Sequence, residues 1–217
     1  PFIVPFNFDH GEILGAELEL RQNVGQWAEW LDAASRHERL KWLGLVPFGE
    51  WQNWLSDFSI GANLTFLDAT VTVQSYDVDS ITQFIRSAGK DPDDYNVDER
   101  RMKDQPEYIL NLYLLYENED TGTSAGVFWN RKGETLVAGE SGTGSYYIAN
   151  LVEKPYDSLN VSFSQSFWDH WKLSLKAENI LNPEIQEVWQ SEYVDTEAVA
   201  RSYTKGITFS ISLTASW

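Results

Sequence analysis

The chain has 217 residues, 42% of them hydrophobic, with a mean hydropathy of −0.38. No run approaches the roughly 18 apolar residues a membrane helix needs, so a membrane location would require a β-barrel. A net charge of −17 leaves no basic footprint for nucleic acid, and 0 Cys excludes disulfides and thiolate metal sites.

Residues 1–10 are aromatic and twice broken by proline, and they read as a loop entering a strand. No secretory leader is visible at Pro1, so the chain is expected to begin after processing or inside something larger. The first strand is expected over 12–24, where Ala16, Leu18 and Leu20 alternate with Glu17, Glu19 and Arg21. Two glutamates on one strand face need water, so that face is not a dry core.

Residues 25–56 break the pattern. Trp27, Trp30, Leu31 and Ala34 recur at helical spacing, with Glu29, Asp32, Arg36 and His37 off the stripe. Trp42, Trp51 and Trp54 follow, so five of the ten Trp fall in this insertion. A short helix packing its stripe on the nearest apolar surface is one reading. A helix lying in a membrane interface, where Trp is favoured, is the other.

A second strand is expected over 57–73, where Phe58, Ile60, Ala62, Leu64 and Phe66 share a face. Residues 75–105 read as a long polar connection. Its acidic run Asp91, Asp93, Asp94, Asp98 and Glu99 could take a divalent ion, but Tyr95 and a missing glycine break the EF-hand pattern, and a solvated loop is expected. Over 106–118, Tyr108 and Tyr116 bracket Leu110, Leu112 and Leu114, as on a lipid-facing strand between two aromatic girdles. After the short turn EDTGT, Ala125, Val127 and Trp129 mark a strand over 123–132. The glycine-rich stretch within 133–155 lacks phosphate-loop spacing and reads as a flexible connection. Leu159, Val161 and Phe163 mark a strand over 156–167. The tight turn WDHW leads to another over 171–180, with Trp171, Leu173, Leu175 and Ala177 on one face. A polar connection spans 182–200. The last strand, 203–217, sets Ile207, Phe209, Ile211, Leu213, Ala215 and Trp217 against Thr208, Ser210, Ser212 and Thr214.

That final split suits either the last strand of a soluble sandwich or a strand between lipid and a hydrated lumen. The loops decide between them. Short turns alternate with the long connections 75–105, 133–155 and 182–200, which puts every long loop at one end. Outer-membrane barrels sort their loops this way, and a sandwich has no reason to. The expected fold is all-β: an antiparallel transmembrane β-barrel segment of about seven strands with one Trp-rich, partly helical insertion. Ile207, Phe209, Ile211, Leu213, Leu110, Leu112 and Leu114 are expected to face lipid.

Four segments then carry a family likeness. GEILGAELELRQNV holds a G-x-E-x-E pattern at Gly15, Glu17 and Glu19. KDQPEYILNLYLLYE pairs a Pro–acidic entry with an alternating strand. LKAENILNPE matches a penultimate-strand ending, and SYTKGITFSISLTASW an aromatic-terminated last strand. In this order they resemble the C-terminal part of a TonB-dependent outer-membrane receptor, over Gly11 to Trp217. The resemblance implies an outer-membrane protein for active uptake of a scarce nutrient such as a metal chelate, cobalamin or glycan. It implies as partners a plug and the rest of the barrel on the same or a separate chain, a periplasmic TonB-type energy-coupling protein, lipid and lipopolysaccharide, and the barrel-assembly machinery. That machinery would read Phe209 and Trp217. The plug and energy-coupling box are not among these residues, and the Trp-rich insertion stands where the family has a short turn. The family's barrel has about 22 strands, so seven form only a piece of the wall. Counting strands back from a periplasmic terminus puts 25–56 on the periplasmic side. Trp27, Trp30 and Leu31 then need an apolar surface: the inner-leaflet headgroup zone, the barrel rim or a partner protein.

Catalytic signatures are missing. His10, His37 and His170 are dispersed, and no nucleophile elbow or zinc-helix spacing occurs. Glu17 and Glu19 lie about 7 Å apart by strand rise, and a hydrated wall accounts for them better than a glycosidase pair. No enzyme and no cofactor are expected. A secreted carbohydrate-binding β-sandwich is the alternative function, since Trp and Tyr would suit it.

Overall fold

The computed structural model describes residues 10–143, 146–168, 170–195 and 197–216. Its elements in chain order begin with β1 (Gly11–Asn23), α1 (Val24–Ser35), α2 (Phe48–Leu55), β2 (Phe58–Thr72), α3 (Ser75–Ser87), β3 (Glu99–Arg101) and β4 (Tyr108–Asn118). They continue with β5 (Thr123–Lys132), β6 (Thr135–Ala138), β7 (Ser141–Thr143), β8 (Tyr146–Ile148), β9 (Asn150–Glu153) and β10 (Tyr156–Phe167). The last are β11 (Trp171–Glu178), β12 (Ile185–Gln190), β13 (Glu197–Tyr203) and β14 (Thr208–Ala215).

The seven expected strands form one antiparallel sheet in the order β1-β2-β4-β5-β10-β11-β14, with β3 as a short extra partner of β2. Each alternating stretch pairs with its neighbour in sequence, so the sheet is a meander. The sheet does not close on itself, and β1 and β14 are its edges. Short turns sit at one end. In the β4–β5 turn, Thr121 donates its N–H to Asn118 Oδ1 at 2.9 Å, and Gly122 takes φ 65°, where glycine has no steric penalty.

The last strand starts later than expected. Ile207 lies before β14, and Arg201–Tyr203 belong to β13 in a different sheet. The cause is a turn around Gly206, whose φ of 82° interrupts the strand. Asn179 Nδ2 donates to the Gly206 carbonyl at 2.7 Å, and the Gly206 N–H donates to Asn182 Oδ1 at 2.9 Å.

The three long connections are not the open polar loops expected. They fold together at the end opposite the turns into a cap. A four-stranded sheet, β13-β12-β9-β6, carries one strand from β13 and one from β12 in the third connection and two from the second. α3, from the first connection, packs on the β7–β8 hairpin, which replaces the flexible glycine-rich segment. Gly142 makes that contact possible, because a Cβ there would stand 2.2 Å from Ser80 Cβ. Val73, Ile81, Ile85 and Tyr193 form the core, with Val78, Phe84, Tyr95, Val97 and Tyr147 against it. Ile81 and Ile85 are 0% exposed.

Apart from Ala28 in α1, the buried apolar residues lie in the cap or at the cap end of β2. Among the described residues, the main sheet has no comparable core on either face.

Candidate functional site

Two faces of the main sheet and a polar cavity in the cap hold the groups of interest. Cross-strand partners share a face of a sheet, so the registers sort every side chain. On one face the row Gln22, Ile60, Leu114, Val127, Val161, Ala177 and Phe209 crosses all seven strands. Leu110 and Leu112 stand on the same face beside Leu64 and Ala62, and Ile211 and Leu213 beside Leu175 and Leu173. The expected apolar stretches therefore coincide on one face. Phe209 is 77% and Ile211 75% exposed.

The apolar band runs obliquely. The row that opens on Leu18, Leu64 and Leu110 ends on Arg131 and Asp157, an ion pair at 3.1 Å. The row that ends on Ala177 and Phe209 opens on Gln22. From β1 to β14 the band slides toward the turn end. Strands of a barrel tilt about 35–45° from its axis, so a level band must cut across the hydrogen-bonded rows in this way.

The opposite face is polar. Glu17 Oε1 accepts from Asn63 Nδ2 at 2.5 Å, Asn111 Nδ2 donates to Asn63 Oδ1 at 3.4 Å, and Asn130 Nδ2 to Asn111 Oδ1 at 2.6 Å. Ser124 and Ser164 hydroxyls bond at 2.8 Å further on. Tyr113 lies over Gly61, where a Cβ would come within 2.0 Å of its ring. Thr208, Ser210 and Ser212 stand on this face beside Glu178, Lys176 and Ser174.

The cap encloses a polar cavity of about 410 Å³. Arg100 and Arg101 meet a larger set of carboxylates there, among them Glu99, Glu107, Glu134, Glu140 and Glu197. Glu140 joins the three connections. Its carboxylate accepts from the hydroxyls of Tyr147 at 2.7 Å and Tyr193 at 2.8 Å, its carbonyl from Arg100 at 2.7 Å, and its N–H donates to Asn150. Burial pushes its carboxyl above the usual carboxylate range, against the pull of the two tyrosine hydroxyls. Burial also pushes the Tyr147 and Tyr193 hydroxyls up. Around it, Arg101 bonds Glu134 and Glu107, and Lys154 reaches Glu134 and Glu197. Glu187, buried in β12, pairs with Arg201.

The insertion is more helical than its stripe implied. α1 and α2 are joined by a 3-10 segment, Glu38–Leu45. Asn23 caps α1 by accepting from the Gly25 N–H at 2.9 Å and ties the ends of the insertion by donating to the Ser56 carbonyl at 2.6 Å. Gly25 and Ala28 are the buried positions of α1. Trp27, Trp30 and Leu31 lie on α1 but are not its buried positions, and Trp30 is 59% exposed.

The acidic run behaves as local structure: Asp91 caps the turn Pro92–Asp94, and Tyr95 packs edge-on against Tyr193 at 5.0 Å. Among the described residues no three His, Asp or Glu are placed to hold a metal ion, and no helix is long and apolar enough to cross a membrane. Trp217 lies outside the described residues. The cap residues Glu140, Tyr147 and Tyr193 were missed in the sequence, since each sits in a different short segment. Comparison with family models, curated proteins and solved structures finds no match.

Proposed function

We propose that the main sheet is a wall segment of a transmembrane β-barrel, with the apolar face toward lipid and the polar face toward a hydrated lumen. The observation that carries this reading is the uncovered apolar band lying oblique to the strand rows. A sheet in water would hide such a band under another layer. Here Phe209, Ile211, Leu213 and Leu18 are exposed, and the four-stranded sheet is not a lid for them. That same exposure argues against the carbohydrate-binding sandwich.

The fuller reading adds the family likeness: an outer-membrane receptor of the TonB-dependent class, in its C-terminal part. The cap would face outward and its cavity would meet the ligand. Uptake would depend on a plug and a periplasmic energy-coupling protein. Lipid does not tolerate open sheet edges, so β1 and β14 would pair with further strands of the same or a separate chain.

Membrane fractionation tests the reading. The chain should sediment with outer membranes, resist extraction by carbonate and run as a heat-modifiable band. Recovery from buffer without detergent would overturn it. Deleting Trp217, the proposed assembly signal with Phe209, should lower the heat-resistant fraction, and an unchanged fraction would remove that role.

A further inference from the structure

We propose that the helical hairpin of residues 24–57 is an interface anchor that lies in the anionic phospholipid headgroups of the leaflet at the turn end. The proposal rests on the wall reading and adds a binding surface to it.

Position comes first. The hairpin sits on the apolar side of the sheet: Trp27, Trp54 and Leu55 share a pocket of about 280 Å³ with Phe58, Ile60 and Leu114. Trp54 packs tilted against Phe58 at 5.0 Å, and Phe58 against Tyr116 at 4.9 Å. An unbroken aromatic line therefore runs from the hairpin into the turn end of the apolar band. Headgroups would stand at that level.

Packing comes second. The helices approach each other at Gly25, whose Cβ would stand 2.2 Å from Ser56 Oγ at the end of α2, and Gly25 and Ala28 are the buried positions of α1. The tryptophans are not spent on this contact. Trp42 is 65% and Trp54 61% exposed, alongside Trp30 and Trp51. Trp gains most at a boundary where its ring is apolar-facing and its N–H is wet.

Charge comes third. The hairpin as a whole holds five acids against three Lys and Arg, but its basic groups are concentrated: Arg36, His37, Arg39 and Lys41 fall within six residues beside Trp42, with Glu38 the sole acid in that segment. Arg36 and Lys41 pair with Asp32 and Glu38 on the exposed surface. Such pairs are weak enough to exchange for lipid phosphate.

The chain has 0 Cys, so single-cysteine labelling is clean. W30C, W42C, I211C and D93C are labelled with an environment-sensitive fluorophore in the full chain, inserted in phosphatidylethanolamine–phosphatidylglycerol vesicles. Trp30 and Trp42 are exposed, so their replacement leaves the hairpin packing intact. Nitroxides at shallow depth should quench W30C and W42C severalfold more than aqueous iodide does. Deep nitroxides should quench I211C, and iodide D93C. Iodide quenching at W30C and W42C, with I211C still lipid-quenched, overturns the anchor and leaves the wall. Protection at both from lipid and iodide means a protein contact and also overturns it. I211C without lipid quenching overturns the wall, and the anchor with it. Raising the phosphatidylglycerol share should deepen quenching at W42C, and R36Q/R39Q/K41Q should abolish that dependence. No dependence in the parent overturns the anionic specificity.

Discussion

The main sheet and the cap are built by opposite rules. The sheet has seven strands of regular alternation, dense ladders and almost no buried apolar side chain. The cap has short strands and one helix from three separate connections, and it contains nearly all of the core. A fold made for water hides its apolar groups from it, as the cap does. The sheet leaves a coherent apolar face open and instead satisfies polar groups on the other face with Glu17, Asn63, Asn111 and Asn130. On the proposed wall reading, the two burial patterns answer to two solvents.

The sharpest way to break that comparison is to charge the cap core. Ile81→Asp places a carboxylate at a fully buried position. It should cost more than about 4 kcal/mol and release α3 and the β7–β8 hairpin. Hydrogen exchange over 75–87 and 146–148 should rise to the open-loop rate, while β10, β11 and β14 stay protected. Loss of protection in both regions together would mean that sheet and cap fold as one unit.

What could be read from the chain divides along the same line. The seven strands were legible to within a few residues because alternation is a local signal, carried in full by runs such as Tyr108–Tyr116. The cap was not, because its core is assembled from segments too short for any period. Ile85, Tyr147 and Tyr193 lie more than forty residues apart in two steps, and no spacing rule joins them. Only α3 offered a clue, with Val78, Ile81 and Ile85 at helical intervals. Asn179, Asn182 and Gly206 delay the start of the last strand to Thr208, a conformational cause that alternation cannot report.

The sheet half of the comparison sharpens with a pair of substitutions. Ile211→Lys on the apolar face should cost about 2–4 kcal/mol in the membrane, and Ser212→Lys on the polar face far less. Urea midpoints in vesicles read both. Equal costs would contradict the assignment of faces.

A smaller effect is expected on the polar face. Asn111→Ala removes a partner of Asn63 and of Asn130. In contact with water both neighbours rehydrate, so the loss should be about 0.5–1.5 kcal/mol. A markedly larger loss, by the same urea titration, would mean that this face is packed and dry.

The smallest effect concerns pH at Glu140. Burial holds its carboxyl above the ordinary range of the unfolded chain. The folded cap therefore keeps a proton that the unfolded chain releases. Stability from this group is fully present below the ordinary carboxylate value, near 4.5, and is lost as pH rises through the raised value. The cap should be tighter at about pH 4 than at about pH 7. Glu140→Gln should remove that dependence. The amide carbonyl can still accept from Tyr193, and its NH₂ can donate to Tyr147, whose hydroxyl lies 3.0 Å from Ser191 Oγ and can donate there instead. Urea midpoints of the cap, followed by hydrogen exchange in 75–87 and 185–195, measure both proteins across this range. The parent should lose stability toward neutral pH and the variant should stay level. A parent that gains stability as pH rises would show Glu140 held as a favourable anion, with the hydrogen bonds from Tyr147 and Tyr193 rather than burial governing it.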